Sequence, residues 1–365
     1  MKVQISNGMF MSLIINMVYA KAIGLTQGTM AREVGNDIWL ATIISAVQGA
    51  LIMLLIVMII RRMPDGDIVQ QSERLLGKWF GKLISLLVFV FFLGAYGSIM
   101  ATFVYHLRDY FLPEAPVVIF IIVAVLIGSY GIFFGIEVIA RMALVGVFSI
   151  LALNILLIMG SISEFDIREL LPTFQSGFVK TIWASRHNDT DWAMATMMAA
   201  IILPLVREKE TWGKSGIAGI IYGGLFVVMW PILEVGVLSA EVTGQYIISC
   251  MQMARSAQIG LFVHRYEMIM VAFFAISNLT QIMIALLCGS VAAQKMIGIK
   301  DYRPMIIPVA LIFGGFGFWF VFDHQRAMQL LETTWVTVGV SIAIFVPLVI
   351  WLVGLLFKKK LQQEN

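Results

Sequence analysis

Eight stretches of this chain contain no aspartate, glutamate, lysine or arginine: Leu40–Ile60, Leu83–Leu107, Ala115–Ile136, Met142–Ser163, Ser215–Leu233, Met268–Gln294, Pro304–Phe322 and Thr333–Phe357. Each is long enough to cross a bilayer as a helix, which takes roughly 20 residues. Lipid offers no partner to an open backbone group, so a crossing segment must be a helix or part of a closed barrel. Barrel strands show short alternating segments of about ten residues; these runs are longer and apolar on every face, so the expectation is helices. Composition agrees, with 60% apolar and only 13% charged residues over 365 positions, against about 25% charged in soluble domains.

Two further segments read as spans despite their irregularity. One is the opening stretch from about Ile5 to Ala31, interrupted by Lys21. The other is the short stretch Trp192–Val206. Together these make ten spans. Lysine and arginine divide unevenly between the two sides: 16 fall in segments on the side of the N-terminus and 8 on the other, with Lys21 inside a span. The excess marks the cytoplasmic side, so both termini are expected there. The net charge of +3 is this topology signal and not a nucleic-acid footprint. The first apolar stretch lacks the short core and small-residue site of a cleavable leader.

Local signals fill in the connections. Asn36 or Asp37 is an expected N-cap for span two, and "DTD", Asp189 to Asp191, for span six. "DIVQQSERLLG" reads as a short amphipathic helix closed by Gly77. Glu137 and Arg141 stand i,i+4 and form an ordinary ion pair. Pro231 removes a backbone donor from span seven and is expected to kink it. Cys250 and Cys288 make no disulfide framework, and the scattered histidines have no ligand spacing, so neither a metal site nor a cofactor is expected. No nucleophile–base arrangement and no phosphate loop is present, so an enzyme is the weakest class.

The irregular spans carry the candidate site. Irregular hydrophobic segments in corresponding positions of two halves point to an inverted-repeat transporter fold and its binding site. In span one, Gly24 and Gly28 follow Lys21, and the backbone is expected to unwind near Tyr19–Ile23. Lys21 either snorkels to the surface or faces a polar cavity, where its charge would favour a carboxylate and disfavour a sodium ion. Asp191 and Glu234 are candidate acidic partners for it. In span six, Thr196 is the one polar residue after Trp192, among Met194, Met197 and Met198. In span eight, Ser277, Asn278, Thr280 and Gln281 cannot all face lipid; they hydrogen-bond between helices or line a cavity. Tyr96, Gly97 and Ser98 form a weaker cluster in span three. The expected pocket is lined by Tyr19, Lys21, Ala22, Ile23, Gly24, Thr196 and Met198, with Tyr96, Gly97 and Ser277 at its edges, between spans one, three, six and eight.

Several motifs in order resemble one family, the permease-like B subunits of spore nutrient-germinant receptors within the amino acid–polyamine–organocation superfamily. They are "NDIW", "LGKWFG", "YGIFFGIEVIAR", "LLPTFQSG", "ILP" followed by charges, "GVLSAE" and "HRYE". The resemblance implies an all-α membrane protein of ten helices, a leucine-transporter-like 5+5 inverted repeat with broken helices one and six. It divides the single transmembrane domain, residues 1–365, into a first repeat at about 5–160 and a second at about 188–322, with span ten at 333–357. It also implies a partner A subunit, a lipoprotein C subunit, the inner membrane of a bacterial spore and a small nutrient such as an amino acid. Two departures bear on the pocket: Ala20–Ala22 stands where relatives carry a Gly-x-Gly element, and Thr196 and Met198 stand where they carry a glycine and a glutamate. The alternatives are a proton-coupled amino-acid permease acting alone and an assembly subunit that binds no ligand.

Overall fold

Only a helix satisfies each backbone group inside its own segment, and the charge-free runs fold accordingly. A computed structural model of the chain describes residues 5–22, 24–258, 266–357 and 361; of residues 20–22 it describes the backbone alone. Among the described residues, regular structure is helical apart from one bridge, Ile5 with Val206.

Helix α1, Asn7–Ala22, is followed after a bend by α2, Gln27–Val34. Then come α3 (Ile38–Ile60), the short α4 (Ile68–Leu76), α5 (Lys78–Tyr110), α6 (Val117–Phe133) and α7 (Ile136–Ser161). The second half holds α8 (Phe178–Ala184), α9 (Arg186–Ile202), α10 (Trp212–Leu238), α11 (Ala240–Gln245), α12 (Ser249–Ser256), α13 (Tyr266–Ile297) and α14 (Ile306–Phe322). Last are α15 (His324–Gln329), a π-helical turn at Leu330–Trp335 and α16 (Val336–Leu356). Seven helical stretches among the described residues are long and apolar enough to cross a membrane, and Asn7–Tyr19 and Val117–Phe133 are shorter apolar helices. With α9 this is consistent with ten crossings.

The connections gather at two ends. At the end holding the N-terminus, Ile5 N–H donates to Leu205 O at 3.0 Å, Arg62 donates to Trp351 O at 2.8 Å and Tyr302 donates to Ile132 O at 3.0 Å. At the opposite end, Arg32 donates to Gly244 O at 3.0 Å and Asp166 N–H to Gly236 O at 2.8 Å. Helix α13 is the central post, packed on α5, α6, α7 and α1. Helix α1 lies along α10, where Gly219 and Gly223 meet Ile14 and Val18. Small residues at that seam let the backbones approach, the usual device where lipid supplies no hydrophobic drive between helices.

Several local expectations hold. Helix α4 forms and stops at Gly77, whose φ of +92° suits a residue without a Cβ. Asp67 and Gln70 close its start as a reciprocal capping box. Arg141 pairs with Glu137 at 3.8 Å. Two caps turn out differently. Asp37 precedes α3, but its carboxylate accepts from Phe174 N–H at 2.6 Å and from the Thr181 hydroxyl at 3.4 Å, so it anchors the 162–184 connection instead. Residues 189–191 sit inside α9, which starts at Arg186. The helical path is interrupted there only at Ser185, between α8 and α9, and Asp189 accepts from Ser45 at 2.6 Å rather than capping.

Candidate functional site

The first span is broken. Its inner half ends at Ala22, Gly24, Leu25 and Thr26 form a bend, and α2 restarts at Gln27. All of Gly24–Gln27 is buried. A helix start leaves N–H groups without intrahelical partners and carries partial positive charge. Thr26 stands in the cap position, yet its side chain makes no cap hydrogen bond. Its hydroxyl is buried and has no hydrogen-bond partner among the described residues. The start of the half-helix thus lies in a buried part of the structure, with the Thr26 hydroxyl beside it. Ile23 and the side chains of Lys21 and Ala22 lie outside the described residues, so the place of the Lys21 ammonium does not enter this geometry.

Below the break, a polar junction ties α1 to α7 and α13. Asn16 donates to Ser12 O and Ala143 O, both at 2.8 Å, and its Oδ1 accepts from Ser277 at 2.7 Å. Gly146 leaves the room, since a Cβ there would stand 2.2 Å from that oxygen. Gln281 Nε2 donates to the carbonyls of Asn16 at 3.2 Å and Met17 at 2.6 Å. A carbonyl has two lone pairs, so each can take the amide besides its helical donor. Gln281→Leu is expected to destabilise the protein by about 2 kcal/mol, because Gln281 holds the last turns of α1 against α13 and two hydrogen bonds go. Thermal unfolding in detergent measures it; a midpoint equal to that of wild type would mean that these bonds do not hold the broken helix.

At the end of α1, Tyr19 is fully buried against Phe226 and Trp230. Its hydroxyl donates to Asn154 Oδ1 at 2.5 Å and accepts from Trp230 Nε1 at 3.3 Å. Tyr19 therefore faces α7 and α10. Beyond the break, α11 folds over α2, and α12 follows it against α13 and α10. Glu234, one turn past Pro231, is fully buried; Ser249 donates to its Oε2, and its Oε1 has no hydrogen-bond partner among the described residues. Next to Ser249, Cys250 Sγ lies 3.7 Å from His106 Nε2, and the other ring nitrogen stands 2.7 Å from Thr102 O. A carbonyl only accepts, so Nδ1 carries the proton and Nε2 is the acceptor for the thiol.

The remaining expected pocket residues separate. Thr196 and Met198 are fully buried in α9, and the Thr196 hydroxyl donates to Ala193 O at 3.1 Å. Gly97 and Tyr96 turn toward α14: Phe316 and Phe320 pack on Gly97, and Tyr96 packs on Gly317 and Phe313. Ser277 meets Asn16 rather than the bend. Asn16, Asn154, Trp230, Ser249 and His106 escaped the sequence reading. Asn16 and Asn154 did carry a signal, since an amide inside a charge-free run needs a helix-to-helix partner.

A cavity of 530 Å³ opens at the N-terminal end of the bundle, with Asp67, Gln70, Ile201, Leu287, Lys295 and Tyr302 among its lining. It reaches the last turn of α9.

Residues 4–321 match the family described as Spore germination protein, the spore permeases. The spore germination protein YndE of Bacillus subtilis is 24% identical over 307 residues, covering 82% of this chain and 84% of that one. GerQB of Bacillus cereus is 24% identical over 330 residues, 88% of each chain. Spore germination protein KB of Bacillus subtilis is 21% identical over 327 residues, 85% of this chain and 83% of that one. Among solved structures, the nucleobase-cation-symport-1 family transporter MHP1 superimposes with a TM-score of 0.64 at 12% identity, over 93% of this chain and 78% of that one. MhsT in complex with L-phenylalanine gives 0.63 at 14% identity, over 97% of this chain and 99% of that one. These superpositions give the fold alone.

Proposed function

Because this chain belongs to the spore germination protein family, integral membrane proteins of transporter or receptor type and not enzymes, we propose that it binds a small nutrient at the break in its first helix and passes that event on as a subunit of a germinant receptor. The observation that carries the reading is the start of α2 without a side-chain cap, beside the buried hydroxyl of Thr26, which has no partner among the described residues. The N–H groups and partial positive charge of a helix start suit an anion, and the hydroxyl adds a donor. The ligand class is therefore an amino acid or a similar small carboxylate, held by its carboxylate at Gly24–Gln27. MhsT, which shares the fold, was solved with L-phenylalanine. In this reading the chain works beside an A subunit and a lipoprotein C subunit in the inner membrane of a spore.

The test is a binding screen of L-amino acids on the purified chain, followed by Thr26→Val, which keeps shape and removes the hydroxyl. At least one amino acid is expected to bind saturably, and Thr26→Val to weaken it about tenfold, the worth of one charge-assisted hydrogen bond. Unaltered affinity in Thr26→Val would move the site away from the break. Failure of any amino acid to bind would favour the assembly role, and saturable uptake by the chain alone would favour a permease.

A further inference from the structure

A second cavity, of 610 Å³, lies between α3, the α8–α9 junction and the start of the last span. Its polar lining includes Gln48, Asp189, Thr333, Thr337 and Ser341. Ile182, Val336 and Val340 are among its apolar lining. The last span enters this cavity through the π-helical turn Leu330–Trp335. Such turns are rare and often sit at functional sites. From Thr333 onward, hydroxyls recur every four residues, which puts them on one face. Thr333 and Thr337 donate to Gln329 O at 2.6 Å and Thr333 O at 2.8 Å. Toward the cavity they therefore offer oxygen lone pairs and no proton.

Asp189 is the unbalanced charge. Its Oδ1 accepts from Ser45 at 2.6 Å. Gln48, with its amide turned to satisfy its neighbours, donates to Asp189 at 2.7 Å. Both partners are neutral. The other charges on the cavity wall are already matched. Arg186 is held by Glu33 at 2.8 and 3.0 Å. Glu332 accepts from Arg32 at 3.1 Å and Thr29 at 2.7 Å. Among the described residues no cation pairs with Asp189. A carboxylate without a cationic partner, in one cavity with a row of acceptor oxygens, asks for a cation with several donors. An ammonium has three.

We propose that this cavity binds a primary ammonium group carried on an apolar body, with the nitrogen at Asp189 and the Thr333–Thr337–Ser341 row and the body over Ile182, Val336 and Val340. The site is separate from the break in α1. The ammonium has two sources, a soluble amine or the headgroup of an aminophospholipid.

The probe is n-hexylamine, titrated against the chain in phosphatidylcholine nanodiscs and followed by tryptophan fluorescence, since Trp183 lines the cavity. Saturable binding is expected in wild type and in Thr26→Val. Asp189→Asn is expected to weaken it about thirtyfold, for the loss of a charged hydrogen bond. Val340→Trp fills the cavity while leaving Asp189 in place, and is expected to weaken it at least as much. Adding phosphatidylethanolamine identifies the source: competition with hexylamine assigns the site to the lipid headgroup, and no competition assigns it to a soluble amine. Absence of saturable binding in wild type overturns the proposal. So does binding as tight as wild type in Asp189→Asn or in Val340→Trp.

Discussion

Asp67→Asn is expected to destabilise the protein by about 3–5 kcal/mol, the usual consequence of stripping one partner from a buried ion pair. Asp67 does two jobs with two oxygens. Oδ1 accepts from Val69 N–H at 3.0 Å and Gln70 N–H at 3.1 Å, which caps α4. Oδ2 receives the ammonium of Lys295 from the last turn of α13. The side chains are only 8% and 14% exposed. Asparagine keeps an oxygen for the cap and removes only the charge, so what is lost is the compensation of Lys295. The second arm is Asp67→Asn with Lys295→Met. Removing both charges is often nearly neutral where removing one is not, so the double variant is expected to recover most of the loss. Chemical unfolding of wild type, both single variants and the double variant measures the coupling. A single-variant loss under about 1 kcal/mol would make this an ordinary surface pair. The pair lies on the wall of the 530 Å³ cavity and ties α4 to the central post. Its loss is therefore also expected to speed hydrogen exchange in Ile68–Leu76.

The cavity-side anchor illustrates what a sequence like this discloses. Helix α4 was legible, because it lies outside the apolar runs and its polar residues alternate with buried ones at helical spacing. The glycine that closes it was legible too, while the Asp67 cap at its start went unread. The ion pair of Asp67 was not legible either, since Lys295 is 228 positions away. The same division runs through the bundle. Charge-free length announces a crossing helix, but a helix apolar all round carries no stripe to say which face turns inward. Tyr19 could therefore be assigned to the irregular part of span one, while its turn toward Asn154 and Trp230 could not. For the same reason Gly97, expected at the edge of a pocket, proved to be the seat for Phe316 and Phe320. Polar residues were the better guides. Four in one stretch of span eight implied helix-to-helix hydrogen bonding, and Ser277 and Gln281 make it with α1. Asp189 and Asp191 misled because acidic residues before an apolar run look like a cap. In fact α8 and α9 are nearly continuous, so the helix had already begun. The break itself was legible from Gly24 and Gly28 following an interrupted run; that its far half is clamped from above was not.

That clamp supplies the second large effect. Gly28→Ala is expected to destabilise the protein by about 3 kcal/mol, the upper part of the range for overpacking. A Cβ at Gly28 would stand 2.1 Å from Tyr246 O and 3.3 Å from Thr243 O. Both are backbone atoms, so no rotamer change relieves the clash. The backbone they belong to is held by three hydrogen bonds. The Thr243 hydroxyl donates to Ser239 O at 2.7 Å and to Glu234 O at 3.2 Å, which fixes α11 to α10. Arg32 donates to Gly244 O, which fixes α11 to α2. The added methyl must therefore lift α2 from α11 as a unit or strain the connection into α12. The control is Gly8→Ala. Its nearest neighbour would be Ser6 Oγ at 4.0 Å, and alanine gains up to about 1 kcal/mol over glycine in a helix. That variant is expected to be as stable as wild type or slightly more so. Cys250, buried in α12 directly after this connection, reports the movement. In a Cys288→Ala background its thiol is expected to resist a maleimide in wild type and in Gly8→Ala, and to react in Gly28→Ala. An unshifted unfolding midpoint together with an unreactive Cys250 would show that α2 does not depend on this close approach, and that the outer half of the broken helix is held in place by its ion pairs alone.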